Sequence, residues 1–537
     1  MIMRKIFLIL AAGVAVTLTS CLKDAEVTAY LTPESKNEVA SADPGKIFDA
    51  AVAGIYTDIQ SYVYANQQHN NFGQKSFDYL SSLLGNDLIM TGRFGMSLYH
   101  YQLSSWSDTQ YWFVENRWRE HYNHIANANS ILSSISADET NPEVLKYKAY
   151  AQTARGYAYL HLSYLFGVPY YMGAEGTAWG MNTKYPGSNA DAPCVPIIKE
   201  DTQGDQPRAT VGQVFELIIS DLTEAYDFFE ANGMLMTASP TDFDGLVAAS
   251  YLMRAHMIMH NWTEAETYAK AIVDTAPIAS AEDLLQGFSD ISLKNVLFGC
   301  DITADNTTTY MSYFSQMDMF GDGYAGIGVW RAADARLAAS IPASDVRHDW
   351  FVYPDNYDKL AAELGLNPII YYQVGPAGGG LPWYQACKFV GAGRANVVDG
   401  YGSGWHLGDY IYLRSEEAHY CLAEIYAHQN NLNGAIKVLE DLTKVRNAEY
   451  AYAGAKNKAE VISEIILQKR IEFWGEGLEH IDNRRLNIPL TRNYEGSNHL
   501  AACAYNVGQE DPRFVYMIPI AEIEANSMIG EEDQNMH

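Results

Sequence analysis

The sequence predicts a mainly α-helical protein: a solenoid-like scaffold of helix hairpins interrupted by long, loop-rich insertions. Three observations support this. Apolar residues recur at three- and four-residue spacing in several separate stretches, as they do in helices with one core-facing stripe. Two pairs of these stretches are joined by only a few residues, which makes their helices antiparallel neighbours. The segments between hairpins are long, rich in glycine and aromatic residues, and unlike the helices in composition.

At the start of the chain Arg4 and Lys5 precede an apolar run from Ile6 to Leu18, followed by Thr19, Ser20 and Cys21. The run falls short of the ~20 residues a helix needs to cross a bilayer, and its basic flank and small-residue exit fit an export signal. Leu18-Thr19-Ser20-Cys21 resembles a bacterial lipobox. Residues 1–20 are therefore expected to be a lipoprotein signal peptide, Cys21 the lipidated N-terminus, and 21–45 a polar tether to a single globular unit, 46–537. Two or three acyl chains hold a protein on a membrane without spanning it.

The chain has 48% hydrophobic residues with 10 Trp, 38 Tyr and 19 Phe, enough aromatic mass to offset chain entropy and form a folded globule. Removal of residues 1–20 leaves 34 basic against 65 acidic side chains, a net charge of −31. Such a surface excludes nucleic acid and anionic headgroups and favours neutral or cationic ligands. The five cysteines after Cys21 (Cys194, Cys300, Cys387, Cys421, Cys503) are odd in number, widely spaced and without a C-x-x-C pair, which argues against a disulfide framework or a zinc site.

From Ile47 the helical stripe begins, with Ala51, Ile55 and Ile59 every four residues and Val52, Tyr56 and Val63 widening it. Further helices are predicted over about 111–135 and 144–166, the second stopped by Gly167-Val168-Pro169, and over 211–231. The pair 245–260 and 263–275, joined by Asn261-Trp262, resembles a degenerate tetratricopeptide repeat: Ala265 and Pro277 have the repeat's spacing, and Ile272 stands where a second small residue is expected. A last hairpin is predicted at about 410–428 and 432–447. The scaffold thus draws on about 47–166, 211–275 and 410–485, and the loop-rich part on about 80–112 and 300–408. Of the insertions, 373–408 has ten glycines with Trp383, Tyr384 and Trp405.

No H-E-x-x-H, P-loop or G-x-S-x-G is present. His121 and His124 are spaced to share a helix face, but packed imidazoles explain them better than a metal does. Gly321-Asp322-Gly323-Tyr324-Ala325-Gly326 satisfies G-x-G-x-x-G without the β-α-β context that dinucleotide binding needs. No catalytic residue, cofactor or metal is therefore expected, and the chain is read as a non-enzyme.

Five motifs resemble those of the SusD/RagB family of outer-membrane nutrient-binding lipoproteins of Bacteroidetes. Trp118, Tyr122, Ile125, Asn127 and Asn129 look like its early W-x-x-x-Y helix, and Arg155-Gly156-Tyr157-Ala158-Tyr159 with Gly167-Val168-Pro169 its R-A-Y-A-Y segment. Leu413-Arg414-Ser415-Glu416-Glu417-Ala418 with Ala423-Glu424, Arg470 to Gly477 with Asp482-Asn483-Arg484-Arg485, and Ile518-Pro519 with Glu522 and Asn526 follow in family order. Ser415 and Ser527 depart from the family's Tyr and Pro. Lys23-Asp24-Ala25-Glu26 is similar to that group's surface-export signals. The resemblance implies a scaffold of tetratricopeptide-like helix pairs bearing a loop-rich, ligand-binding half, in a lipid-anchored protein on the outer face of the outer membrane that captures oligosaccharide for a SusC-type TonB-dependent transporter. Arg470, Glu472, Glu476 and Arg485 read as an ion-pair network between packed helices.

A sugar ring presents C–H bonds on its face and hydroxyls at its rim, so a binder needs exposed aromatics flanked by short polar side chains. Two stretches fit, Tyr99 to Trp112 and Asn306 to Trp330, and the resemblance places glycan-contacting aromatics in corresponding loops. Trp106, Tyr310, Tyr313 and Trp330 are the leading candidates, with Tyr324 and Asp108 beside them and Asp87 and Arg93 as hydroxyl partners. Trp383 and Trp405 are held in reserve. The alternatives are a RagB-like peptide binder and a lipid-anchored glycoside hydrolase.

Overall fold

Helix α1 (Pro44–Gln60) turns Phe48, Val52, Ile55 and Ile59 inward, the four-residue stripe of the sequence. The computed structural model describes residues 44–60, 71–90, 101–103, 109–110, 112–171, 188–307, 310–364, 383–398, 401–402 and 404–535. The expected signal peptide, Cys21 and most of the expected tether lie outside them. After α1 come α2 (Gln74–Ser82), α3 (Trp112–Leu132), α4 (Pro142–Phe166), α5 (Val211–Ala231), α6 (Gly245–Ile258) and α7 (Trp262–Thr275). Three of the starts have a local cause: the Asn141 side chain accepts the Glu143 N–H ahead of Pro142, Thr210 and Gln213 form a capping box, and Asp244 accepts the Val247 N–H. Successive helices from α3 to α7 pack on their neighbours, so the scaffold grows as a chain of hairpins.

The α6–α7 hairpin buries Ala265, Ala269 and Ile272 of its second helix, and α7 packs on α9 (Glu416–His428). Its partner α10 (Leu432–Arg446) completes the second hairpin, on which α11 (Lys458–Glu472) lies, followed by α12 (Leu478–Leu486). The hairpin predicted from 410 is shorter than expected. Residues Tyr410–Arg414 form a strand paired antiparallel with Val296–Cys300, because Tyr-Ile-Tyr-Leu alternates and its backbone bonds are taken by the insertion. That ladder fixes the 300–330 insertion to the scaffold. A shorter ladder joins Leu88–Met90 to Arg331–Ala333 at the insertion's far end.

The predicted ion-pair network is present and buried. Glu472 accepts from Arg414 Nη1 at 2.8 Å, Arg446 Nη2 at 2.9 Å and Arg347 Nη1 at 3.3 Å. Glu476 accepts from Arg414 Nε at 2.9 Å and from Lys388 at 2.5 Å, and Arg485 grips Glu424 through two N–H bonds. Gly475 and Gly477 have φ of 80° and 89°, the left-handed backbone of the turn from α11 into α12, which gives the G-E-G motif a conformational cause. Among the described residues no helix is long and apolar enough to cross a membrane.

Candidate functional site

The 310–330 insertion begins on a short helix, α8 (Tyr313–Met317), started by Ser312, whose hydroxyl accepts the Ser315 N–H. Tyr313 is its anchor. Its ring lies among Phe72, Phe314, Phe389 and Tyr410, its hydroxyl donates to the Gly475 carbonyl at 3.0 Å, and its N–H donates to Tyr410 Oη at 3.0 Å. It is 1% exposed, which corrects its expected role: the ring fastens the loop and faces no ligand.

After α8 the chain turns back through the glycine-rich segment. Asp318 accepts the N–H groups of Phe320 at 2.7 Å and Gly391 at 2.8 Å, and its burial pushes its carboxyl up to about 7. A Cβ at Gly321 or Gly323 would stand 2.7 Å from the Trp405 ring, and at Gly323 also 2.6 Å from Ser315 Cα. The segment therefore wraps one indole, and Trp405 Nε1 donates to Asp322 at 2.7 Å. The G-x-G-x-x-G string exists for this close approach. Trp405, held in reserve as a ligand contact, is the buried post that joins two insertions.

What this places outward is specific. The large apolar side chains most exposed among the described residues are Met236, Tyr310, Ile327, Leu407 and Met528, and three of these five belong to the two segments joined at Trp405. Tyr310 is 47% exposed, and its ring lies 5.9 Å from that of half-buried Tyr324 at an interplanar angle of 55°. Tyr324 is held from below, its N–H donating to Ser315 Oγ and its carbonyl accepting the Val329 N–H at 2.9 Å. Between Lys294 and Arg331 the chain carries no lysine or arginine and four aspartates, Asp301, Asp305, Asp318 and Asp322; between Arg394 and Arg414 it again carries no lysine or arginine, and two aspartates, Asp399 and Asp409.

Two further expectations are corrected. Trp330, 3% exposed, lies in the core, because the strand Arg331–Ala333 that follows it pairs with Leu88–Met90 and draws it inward. Asp87, also 3% exposed, is bound to Arg470 through both carboxylate oxygens, at 2.5 and 2.8 Å, so it closes a salt bridge and addresses no hydroxyl. Arg93, Trp106 and Asp108 lie outside the described residues. Trp383 is half-buried. His121 and His124 are packed in the core with ring centroids 5.9 Å apart, and no cluster of metal-ligating side chains occurs among the described residues. All five cysteines are buried and free. The post at Trp405 escaped the sequence reading; the glycines of 321–326, read as packing against a ring, were the signal for it.

The fold and the outward face define a class: a helix-hairpin scaffold with an aromatic-bearing, loop-built surface. Residues 29–250 match the family model SusD-like_3, described as "Starch-binding associating with outer membrane". A SusD-like carbohydrate binding protein from Bacteroides vulgatus ATCC 8482 has the same fold, with a TM-score of 0.70 at 19% identity over 91% of this chain and 98% of that one. A SusD superfamily protein from Bacteroides thetaiotaomicron VPI-5482 gives 0.68 at 19% over 92% and 99%, and surface glycan-binding protein A from Bacteroides fluxus gives 0.63 at 15% over 91% and 98%. No curated protein matches in sequence. The N-terminal part of this chain is thus similar to the SusD-like family model, and its fold is that of the SusD superfamily structures.

Proposed function

We propose that the protein is a non-enzymatic, lipid-anchored glycan-binding protein of the outer-membrane surface that passes oligosaccharide to a SusC-type TonB-dependent transporter. The observation that carries the reading is the Tyr310–Tyr324 pair, an exposed ring beside a half-buried one on a loop pinned at Tyr313 and Trp405. Rings held this way stack on a sugar face with little further loss of conformational entropy. The family description, which names starch binding and the outer membrane, supports the same reading, as do the titles of the similar structures, which speak of carbohydrate and glycan binding. The absence of lysine and arginine from both segments favours neutral over anionic sugars. In this reading Trp106, Asp108 and Arg93 also contact the ligand, and Cys21 bears the lipid.

Affinity electrophoresis across a panel of neutral polysaccharides tests it. At least one glycan is expected to retard the protein, and Tyr310→Ala is expected to weaken retention about tenfold, the equivalent of ~1.4 kcal/mol of aromatic contact. Migration of Tyr310→Ala, Tyr324→Ala and Trp106→Ala like the parent in a retarding gel defeats the assignment of the site. Release of reducing sugar from any retained glycan defeats the non-enzymatic reading. Co-purification with a SusC-type transporter tests delivery.

A further inference from the structure

A cavity of about 20 Å³ lies where the end of α4 meets α5, α6 and α12. Its walls are largely apolar, from Val168, Phe215 and Ile258, yet Tyr164, His480 and Arg484 also line it. These three bring hydrogen-bonding atoms that find no partner in the protein: the Tyr164 hydroxyl, both ring nitrogens of His480, and Arg484 Nη2. Buried polar groups are almost always satisfied, so three orphans around one hollow point to something held between them.

The character of that something follows from Arg484. A guanidinium stays charged at any pH the protein meets, and a buried charge needs a counter-charge or a full set of acceptors. Most other buried arginines have one or the other. Arg414, Arg446 and Arg347 hold carboxylates, and Arg492 donates to the carbonyls of Leu83, Gly85 and Tyr101. Arg484 has a single acceptor, the Gln509 carbonyl at 3.2 Å from Nη1. The nearby carboxylates of Glu424 and Asp482 are already taken by Arg485. The Phe514 ring, 5.6 Å from the guanidinium carbon, brings no full charge, so burial pulls Arg484 down to about 9, and the same burial with the Arg484 charge keeps His480 neutral. The Ser163 hydroxyl, the remaining side-chain polar group of the α4 wall, donates back to the Leu160 carbonyl. The hollow thus offers one cation and two neutral donors. Its size is that of one or two water molecules, since roughly 10–15 Å³ holds one.

We propose that this cavity is a binding site for a monatomic anion, chloride in the cell's surroundings, held by Arg484 Nη2, the Tyr164 hydroxyl and the His480 ring N–H. The ion neutralises the buried guanidinium and ties α12 to the end of α4.

The test uses the purified protein in sodium gluconate, with chloride, bromide or sulfate replacing gluconate at constant ionic strength, read by thermal melting. Chloride and bromide are expected to raise the melting temperature saturably, by about 2–4 °C, and sulfate, too large for the hollow, to leave it unchanged. Crystals grown in bromide are expected to give an anomalous peak within hydrogen-bonding distance of Arg484 Nη2. Arg484→Met is expected to abolish the halide response, and Tyr164→Phe, which removes only the hydroxyl, to raise the half-saturating chloride several-fold. Equal responses to halide and sulfate, an absent bromide peak, or a Tyr164→Phe midpoint equal to the parent's overturns the proposal. The Tyr164→Phe arm decides the matter should Arg484→Met not fold.

Discussion

Glu472→Gln is the most informative single change in the scaffold. It keeps the side chain's shape and removes one negative charge from a fully buried cluster. That cluster sets Arg347, Arg414, Arg446 and Lys388 against Asp345, Glu416, Glu472 and Glu476, four charges of each sign. The substitution leaves one guanidinium unbalanced where no side chain of the Glu472 pairs reaches solvent beyond 1%. Breaking a buried pair on one side costs about 3–5 kcal/mol, a large part of the roughly 5–15 kcal/mol that holds a protein folded. At ~3 kcal/mol per molar urea the midpoint at pH 7 is expected to fall by about 1 M. Because Arg446 and Arg414 hold the Glu472 carboxyl well below the usual range against the opposing effect of burial, its contribution is present above the unfolded glutamate pKa and disappears as pH falls through the native one. The gap between parent and variant is thus expected at neutral pH and to close in acid. Arg347→Met combined with Glu472→Gln is expected to cost less than the sum of the two singles. A midpoint within 0.2 M of the parent's, or strict additivity (the ~0.5 kcal/mol expected of independent sites), refutes the account of the cluster as one electrostatic unit.

Trp330 and Tyr310 are expected to separate stability from binding. Trp330→Ala empties a core position and costs about 3–5 kcal/mol in urea unfolding, whereas Tyr310→Ala changes stability by less than about 1 kcal/mol. Gly323→Ala drives a methyl into Ser315 Cα and the Trp405 ring, and is expected to lower stability by about 1–3 kcal/mol and to release glycan in affinity gels. Asp318 holds its proton in the native state up to about pH 7, while the unfolded chain loses it near 4; it therefore makes stability fall as pH rises between those values, and Asp318→Asn is expected to flatten that slope in urea midpoints at pH 5 and 7.

The helices were legible because their signals are local. Val211–Ala231 starts and stops where the stripe and its capping box place it, and the α6–α7 turn at Asn261 follows from two residues between two apolar runs. The ion-pair cluster was legible through the family motif that carries it. The site was legible only in part. Tyr310 was rightly read as a surface ring, but Tyr313 and Trp330, with the same composition around them, turned out to be core. Residues 410–414 read as helix because their apolar spacing suits either state, and a partner strand a hundred residues earlier decided between them.

The sequence by itself thus determined the helix hairpins, the net negative charge and the stretch that would carry aromatics. The tertiary structure alone decided which aromatics face out. A ring's exposure depends on what distant segments bring against it: Gly475 and Phe389 against Tyr313, the glycine turn against Trp405, the Arg470 guanidinium against Asp87. No spacing along the chain encodes contacts made across hundreds of residues, because burial is a property of the packed whole.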